Sequence, residues 1–222
     1  MHVDANLVES SVLIASWLFS AMALLLALSF APWRALAAEP SRLHLVGAGA
    51  LACLLLWMMN VQLQQGLLLH FLGVTTLTLV LGWSFAVLTA LMSLVAFFIL
   101  NDLSWSSLGL SLCLTAVLPA TLTHFLVRSL RRPGLRHPFF YLLGAGFAGG
   151  AMTILCLALA CAFVFVISDS AALAGGTAEL WPLLFLVMFS EGFLNGMCVS
   201  ALAIFYPDKM KTFDERFYLG DE

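Results

Sequence analysis

Charge is scarce in this chain. Asp, Glu, Lys and Arg make up 9% of its 222 residues, against 63% hydrophobic ones, whereas soluble domains carry about 25% charged residues. That deficit excludes a soluble globular domain and points to a protein embedded in the lipid bilayer. The formal net charge is only −3, and no basic patch with interleaved aromatics occurs, so no nucleic-acid partner is expected. Residues 1–10 contain no Lys or Arg, but they do contain Asp4 and Glu9. A cleavable signal peptide needs a basic segment ahead of its apolar core, so none is expected here. His2 is a large second residue, and Met1 is expected to stay in place with its amine free. CxxC is absent too. The five cysteines (Cys53, Cys113, Cys156, Cys161 and Cys198) are odd in number and lie in apolar segments, where they read as buried, reduced thiols. GxSxG, HExxH and a phosphate-binding loop are all missing. The chain is therefore not expected to be an enzyme, and any coupling to ATP must come from another chain.

What is present is a series of long apolar runs. Residues 11–31, 44–60, 107–127, 139–167 and 181–206 each suit a membrane helix. Residues 67–100 contain no Asp, Glu, Lys or Arg. As one helix they would run about 51 Å against a hydrocarbon core of about 30 Å, so two short helices meeting near Gly82 fit better. Charge placement tests that division. With seven helices and the N-terminus outside, the inner segments are 32–43, the turn near Gly82, 128–138 and 207–222. They hold Arg34, Arg42, Arg128, Arg131, Arg132, Arg136, Lys209, Lys211 and Arg216, which are all nine basic residues. The outer segments hold none. A single span over 67–100 would put Arg34 and Arg42 across the membrane from the Arg128–Arg136 cluster, so the positive-inside rule selects seven. The expected fold is an all-α, polytopic integral membrane protein with its C-terminus in the cytoplasm. One transmembrane domain covers 1–222: an extracytoplasmic segment 1–10, a seven-helix bundle 11–206 and a cytoplasmic tail 207–222. The expected location is the inner (plasma) membrane, crossed in several passes.

Chemistry concentrates at the beginning of the chain. A free amine on Met1, the deprotonated amide nitrogen of His2 and the His2 imidazole can close adjacent chelate rings on one metal ion. Three nitrogens in a plane leave a fourth position open, which suits Ni(II) or Cu(II), and Co(II) with some adjustment. The topology puts His70 near the outer end of the third helix, on the same side as Met1 and His2. His70 is thus the candidate fourth donor. Asn60, just upstream, is a candidate for orienting its ring from the second shell. Met58 and Met59 read as lipid-facing or core methionines, and the Gln-rich stretch after them as a polar outer loop. Glu191 is the carboxylate lying well inside a span; it is either functional, as intramembrane ionisable groups often are, or a hydrogen-bonding partner of a neighbouring helix. His124 reads as an interior histidine near the inner end of the fifth span.

A longer pattern surrounds these residues. The stretch Met58-Met59-Asn60-Val61-Gln62-Leu63-Gln64-Gln65-Gly66-Leu67-Leu68-Leu69-His70-Phe71-Leu72-Gly73 keeps Met58, Asn60, Gly66, His70, Leu72 and Gly73 in ungapped register with a characteristic block. That block belongs to the substrate-binding membrane components of cobalt/nickel energy-coupling-factor (ECF) ABC transporters, the CbiM/NikM type, which the chain resembles. Leu81-Gly82-Trp83, Asp102, Leu108-Gly109, Glu191-Gly192 and Tyr206-Pro207 extend the resemblance over nearly the whole chain. Three stretches depart from it, one of them Leu108-Gly109-Leu110-Ser111, where the family has a polar Leu-Gly-Ala-Asn. The small, polar Thr-Ser-Gly before the block histidine is here Leu67-Leu68-Leu69, and the glycine of the family's opening segment is missing.

The resemblance implies a metal-capturing permease subunit for uptake of a divalent transition metal ion such as Ni(II) or Co(II), with Cu(II) a further candidate. It assigns Met1, His2 and His70 to the metal. It also implies a separate transmembrane coupling subunit and cytoplasmic ABC ATPases as partners. The alternative is a non-transporting membrane protein of the same fold, acting as a metal sensor or assembly partner.

Overall fold

The computed structural model describes residues 2–64, 67–168 and 181–218. The charge-poor runs become helices close to their expected bounds: α1 Ser10–Phe30, α3 Pro40–Met58, α5 Trp83–Leu100, α6 Trp105–Leu130, α7 Phe140–Ile167 and α8 Trp181–Phe205. These six are long and apolar enough to cross a membrane. A short α2, Trp33–Ala38, lies between α1 and α3. The outer surface is apolar, with Phe30, Phe185 and Ile204 among the most exposed side chains. A chain that turns such residues outward has lipid for its solvent, and it is a multi-pass integral membrane protein.

The buried face of α1 holds small groups. On α1 the buried residues are Ser16, Ser20, Ala23 and Ala27, spaced by four, three and four along one helix face. That stripe lets α6 come close: a Cβ on Gly109 would stand 2.9 Å from the Trp17 Cα. Ser20 Oγ donates to the Gly109 carbonyl at 2.7 Å across the crossing. Within α6 a π-helical turn covers Cys113–Val117, just ahead of Pro119. Proline has no N–H for the carbonyl four residues back, and its ring crowds that turn; the wider turn absorbs the mismatch. A second π segment, Phe140–Ala148, opens α7.

The division of 67–100 at Gly82 holds. Gly82 has φ +79° and ψ 167°, a conformation that glycine adopts without steric cost. It separates α5 from α4, Val74–Leu81. The expected third helix, however, is much shorter than a span. Eight residues rise about 12 Å, so among the described residues six helices are long enough to span and α4 is not. The missing part is extended backbone. β1 (His2–Val3), β2 (Val61–Gln64) and β3 (Leu67–Leu69) form a three-stranded antiparallel sheet in the order β1-β3-β2. The fold remains an all-α membrane bundle with this small sheet added, and β2 includes part of the Gln-rich stretch expected as a loop. Leu67-Leu68-Leu69 reads equally as helix or strand in isolation; its pairing with β1 decides the matter.

Both ends of α4 are finished by distant parts of the chain. A helix leaves its first N–H groups and last carbonyls without intrahelical partners, and an eight-residue helix has little else. At the C-terminal end the tail supplies donors: Lys211 N to the Val80 carbonyl at 2.9 Å, Thr212 N to Leu79 at 3.2 Å, and Thr212 Oγ1 to Leu79 at 2.8 Å. Tyr141 Oη meets Thr212 Oγ1 at 2.7 Å, and the Tyr141, Phe213 and Tyr218 rings pack together. This is the basic end of the molecule, where Lys209 pairs with Glu39 at 2.8 Å and Arg131 donates to the Thr212 carbonyl at 2.9 Å. At the N-terminal end the donors and acceptors are reversed, and His70 is close by.

Candidate metal centre

The sheet brings the beginning of the chain to the His70 segment. Val3 pairs with Leu67 and His2 with Leu68. Each step back along β1 toward the N-terminus is thus a step along β3 toward His70. Of His2, the description covers the backbone in β1; Met1 lies outside the described residues.

His70 does not sit on a helix, as the sequence had suggested. It lies in the non-helical segment joining β3 to α4, which ends at Gly73 with φ +66°. Its side chain is only 4% exposed. The ring rests against Trp57, with centroids 5.4 Å apart, and against Phe97 at 5.8 Å. Its Nδ1 stands 2.9 Å from the Phe71 carbonyl oxygen. A carbonyl only accepts, so Nδ1 carries the proton of this contact, and Nε2 is the nitrogen that a neutral ring would offer to a metal. A backbone carbonyl on one ring nitrogen is the usual way to set the tautomer and aim of a metal-binding imidazole. Aromatic walls on two sides restrict the ring further.

Asn60 is committed elsewhere. Its Nδ2 donates to the carbonyls of Trp57 at 3.1 Å and Met58 at 3.3 Å, closing the end of α3. It therefore reaches His70 through Trp57 and not by a described contact of its own. Trp57 itself is fully buried and donates its indole N–H to the Leu72 carbonyl at 3.1 Å. Met58 and Met59 are exposed, in line with the sequence reading. His44, His124 and His137 are exposed as well and stand apart from His70. Among the described residues, no three His, Cys, Asp or Glu side chains converge on a common point.

The carboxylate of Glu191 is what fixes the segment carrying His70. It is wholly buried. Oε2 accepts Leu72 N–H and Oε1 accepts Gly73 N–H, both at 2.8 Å. One turn further along α8, Asn195 Oδ1 accepts Thr76 N–H at 2.9 Å and the Thr76 hydroxyl at 2.7 Å. The amide of Asn195 turns back to Glu191 Oε1 at 2.8 Å. Two side chains of α8 thus satisfy the amino end of α4, with the carboxyl oxygens of Glu191 facing the positive end of the helix dipole. Next to Glu191, a Cβ on Gly192 would lie 2.7 Å from the Phe147 carbonyl oxygen, so α7 and α8 touch backbone to backbone. Of the two roles open to Glu191 in the sequence, the hydrogen-bonding one is realised. Asn195 and Trp57 went unremarked there; the four-residue step from Glu191 to Asn195 on one helix face was the available signal for Asn195.

Similarity to known proteins follows the same lines. No curated protein sequence matches this one. Crystal structures that share its fold include two of transition metal transporters. One, of a truncated transition metal transporter, superposes with a TM-score of 0.72 at 16% identity, over 92% of this chain and 99% of that one. The other, of a transition metal transporter, gives the same score and identity over 92% of this chain and 93% of that one. The model of the family described as "Cobalt uptake substrate-specific transmembrane region" (CbiM) matches residues 2–209, and the chain belongs to that family of transport proteins and not to an enzyme family.

Proposed function

We propose that this chain is the metal-capturing subunit of an uptake system for a divalent transition metal ion, with Ni(II) or Co(II) as the substrate. Met1 contributes its amine, His2 its amide nitrogen and imidazole, and His70 its Nε2. The observation that carries this reading is the antiparallel register of β1 on β3, which runs the N-terminal strand toward a buried imidazole whose other nitrogen is already tied to a carbonyl. Planar nitrogen donors favour Ni(II) and Cu(II) over Mg(II) or Ca(II). The reading accommodates the missing side-chain cluster, because two of its donors are backbone nitrogens.

The nine basic residues set the orientation. On the positive-inside rule the basic end faces the cytoplasm and the β1–β3 sheet faces outward, within the inner (plasma) membrane. Residues 1–222 then act as one transmembrane domain. With no phosphate-binding loop in the chain, energy must come from cytoplasmic ABC ATPases acting through a transmembrane coupling subunit.

The test is calorimetric titration of Ni(II), Co(II) and Cu(II) into purified protein, repeated with His2→Ala and His70→Ala. Each substitution is expected to lower affinity at least 100-fold for the preferred ion, and wild-type affinity is expected to fall on acidification, since the donors must lose protons to bind. Unchanged binding in either variant overturns the assignment. Tight binding without any metal uptake in cells that supply the ATPases would favour the sensor or assembly role.

A further inference from the structure

A cavity of about 700 Å³ opens at the basic end, between α4, α5, α6 and the tail. Its size is that of a small-molecule site, but its lining is unlike the rest of the protein. Thr121, His124, Arg128 and Arg131 all border it and fall three or four residues apart, on one face of α6 and its end. Lys211 faces them from the tail. Two cations near this end are neutralised: Glu39 pairs with Arg42 at 2.7 Å and Lys209 at 2.8 Å, and Asp208 lies 3.4 Å from Lys209. No carboxylate among the described residues pairs with Arg128, Arg131 or Lys211. Trp83 and Ser84, the first residues of α5, also border the cavity, and no side chain caps that helix. An uncapped helix start offers N–H donors and the positive end of a dipole to an anion. Two apolar rings at the rim, Phe30 and Phe125, are 73% and 63% exposed.

We infer that this cavity binds the phosphate of an anionic lipid headgroup from the leaflet at the basic end. The three unneutralised cations and the start of α5 receive the phosphate, and the exposed rings of Phe30 and Phe125 lie along the acyl chains. Basic pockets between membrane helices on the inner side suit such headgroups. A free phosphate ion has the same charge chemistry but no use for the apolar rim.

The experiment is native mass spectrometry of the full chain released from nanodiscs containing equal phosphatidylglycerol and phosphatidylcholine. Wild type is expected to retain one phosphatidylglycerol selectively. The triple variant Arg128→Gln, Arg131→Gln, Lys211→Gln is expected to lose at least tenfold in retention, and Lys209→Gln, whose charge is already paired, to retain it normally. The single variant Lys211→Gln, expected to lose severalfold, covers the case in which the triple variant fails to fold. Photocrosslinking gives a reading that needs no lost cation: diazirine-bearing phosphatidylglycerol should label peptides containing Phe125, and the phosphatidylcholine analogue should not. Equal retention of both lipids, undiminished retention in the folded triple or single variant, or displacement of the lipid by inorganic phosphate overturns the proposal. Protection of the Phe125 peptide by a partner protein with no lipid labelling overturns it as well.

Discussion

The two ends of α4 are finished by opposite means. At the amino end, buried side chains of α8 accept from the helix, and aromatic rings close in around His70. At the carboxyl end, a tail anchored by buried Met210, Phe213 and Tyr218 donates from its backbone beside an open cavity. The first end is dry and packed, and a lost contact there cannot be replaced by water. The second borders an open cavity, and water reaching Thr212 and Lys211 from it can stand in for part of what is removed. A metal-binding imidazole benefits from the first arrangement, because a donor held in place loses little freedom on binding. A site that exchanges ligands with a membrane surface benefits from the second.

The sharpest way to break this contrast, after removing His70 itself, is at Glu191. Glu191→Ala leaves the Leu72 and Gly73 N–H groups and the Asn195 amide short of an acceptor in a dry site. Unpaired buried donors cost about 1–3 kcal/mol each, so a loss of about 3 kcal/mol in unfolding free energy is expected. Metal affinity should fall about 10- to 100-fold, as it does when outer-shell partners are removed, with His70 still present. Glu191→Gln keeps one acceptor and should fall between. Thermal unfolding monitored alongside metal titration separates the two effects. If Glu191→Ala binds metal as wild type does, the carboxylate serves the helix alone and not the site.

How much of this was legible in the sequence depends on the range of each interaction. The break at Gly82 was legible, because a single helix would overrun the bilayer and the charges would fall on both sides. The five other apolar runs were legible from length. His70 was legible as a candidate donor, but its setting was not. Leu67-Leu68-Leu69 carries no period that separates strand from helix, and what makes it a strand is pairing with residues at the far end of the chain. The role of Glu191 was half legible. An intramembrane carboxylate announces itself, yet its partners at Leu72 and Gly73 lie 119 and 118 residues away. The tail's backbone bonds to Leu79 and Val80 had no signal, since backbone donors leave no trace in side-chain identity.

At the carboxyl end, Thr212→Val removes a hydroxyl that donates to Leu79 and meets Tyr141. The backbone bond from Thr212 N to Leu79 remains, and water has access. A loss of about 1 kcal/mol is expected, with metal affinity unchanged. Chemical denaturation at constant metal occupancy checks this. A loss as large as that of Glu191→Ala would erase the distinction between the ends.

The smallest effect is expected at Glu39, on the exposed surface of the basic end. Hydrogen bonds from Lys209, then Arg42 and Ser41, hold its carboxyl at about 2, down from 4.5. A carboxyl whose folded value lies below its unfolded one stabilises the fold above the unfolded value, and that contribution fades as pH falls from 4.5 toward 2. Glu39→Gln should therefore melt slightly below wild type at pH 7, and the two curves should converge by about pH 2. The difference should also shrink in high salt, because charges this exposed are screened within about 10 Å at 0.1 M ionic strength. A gap that persists in acid or in salt would mean that Glu39 acts by packing α2 and α3 against the tail, and that the basic end owes its shape to contact more than to charge.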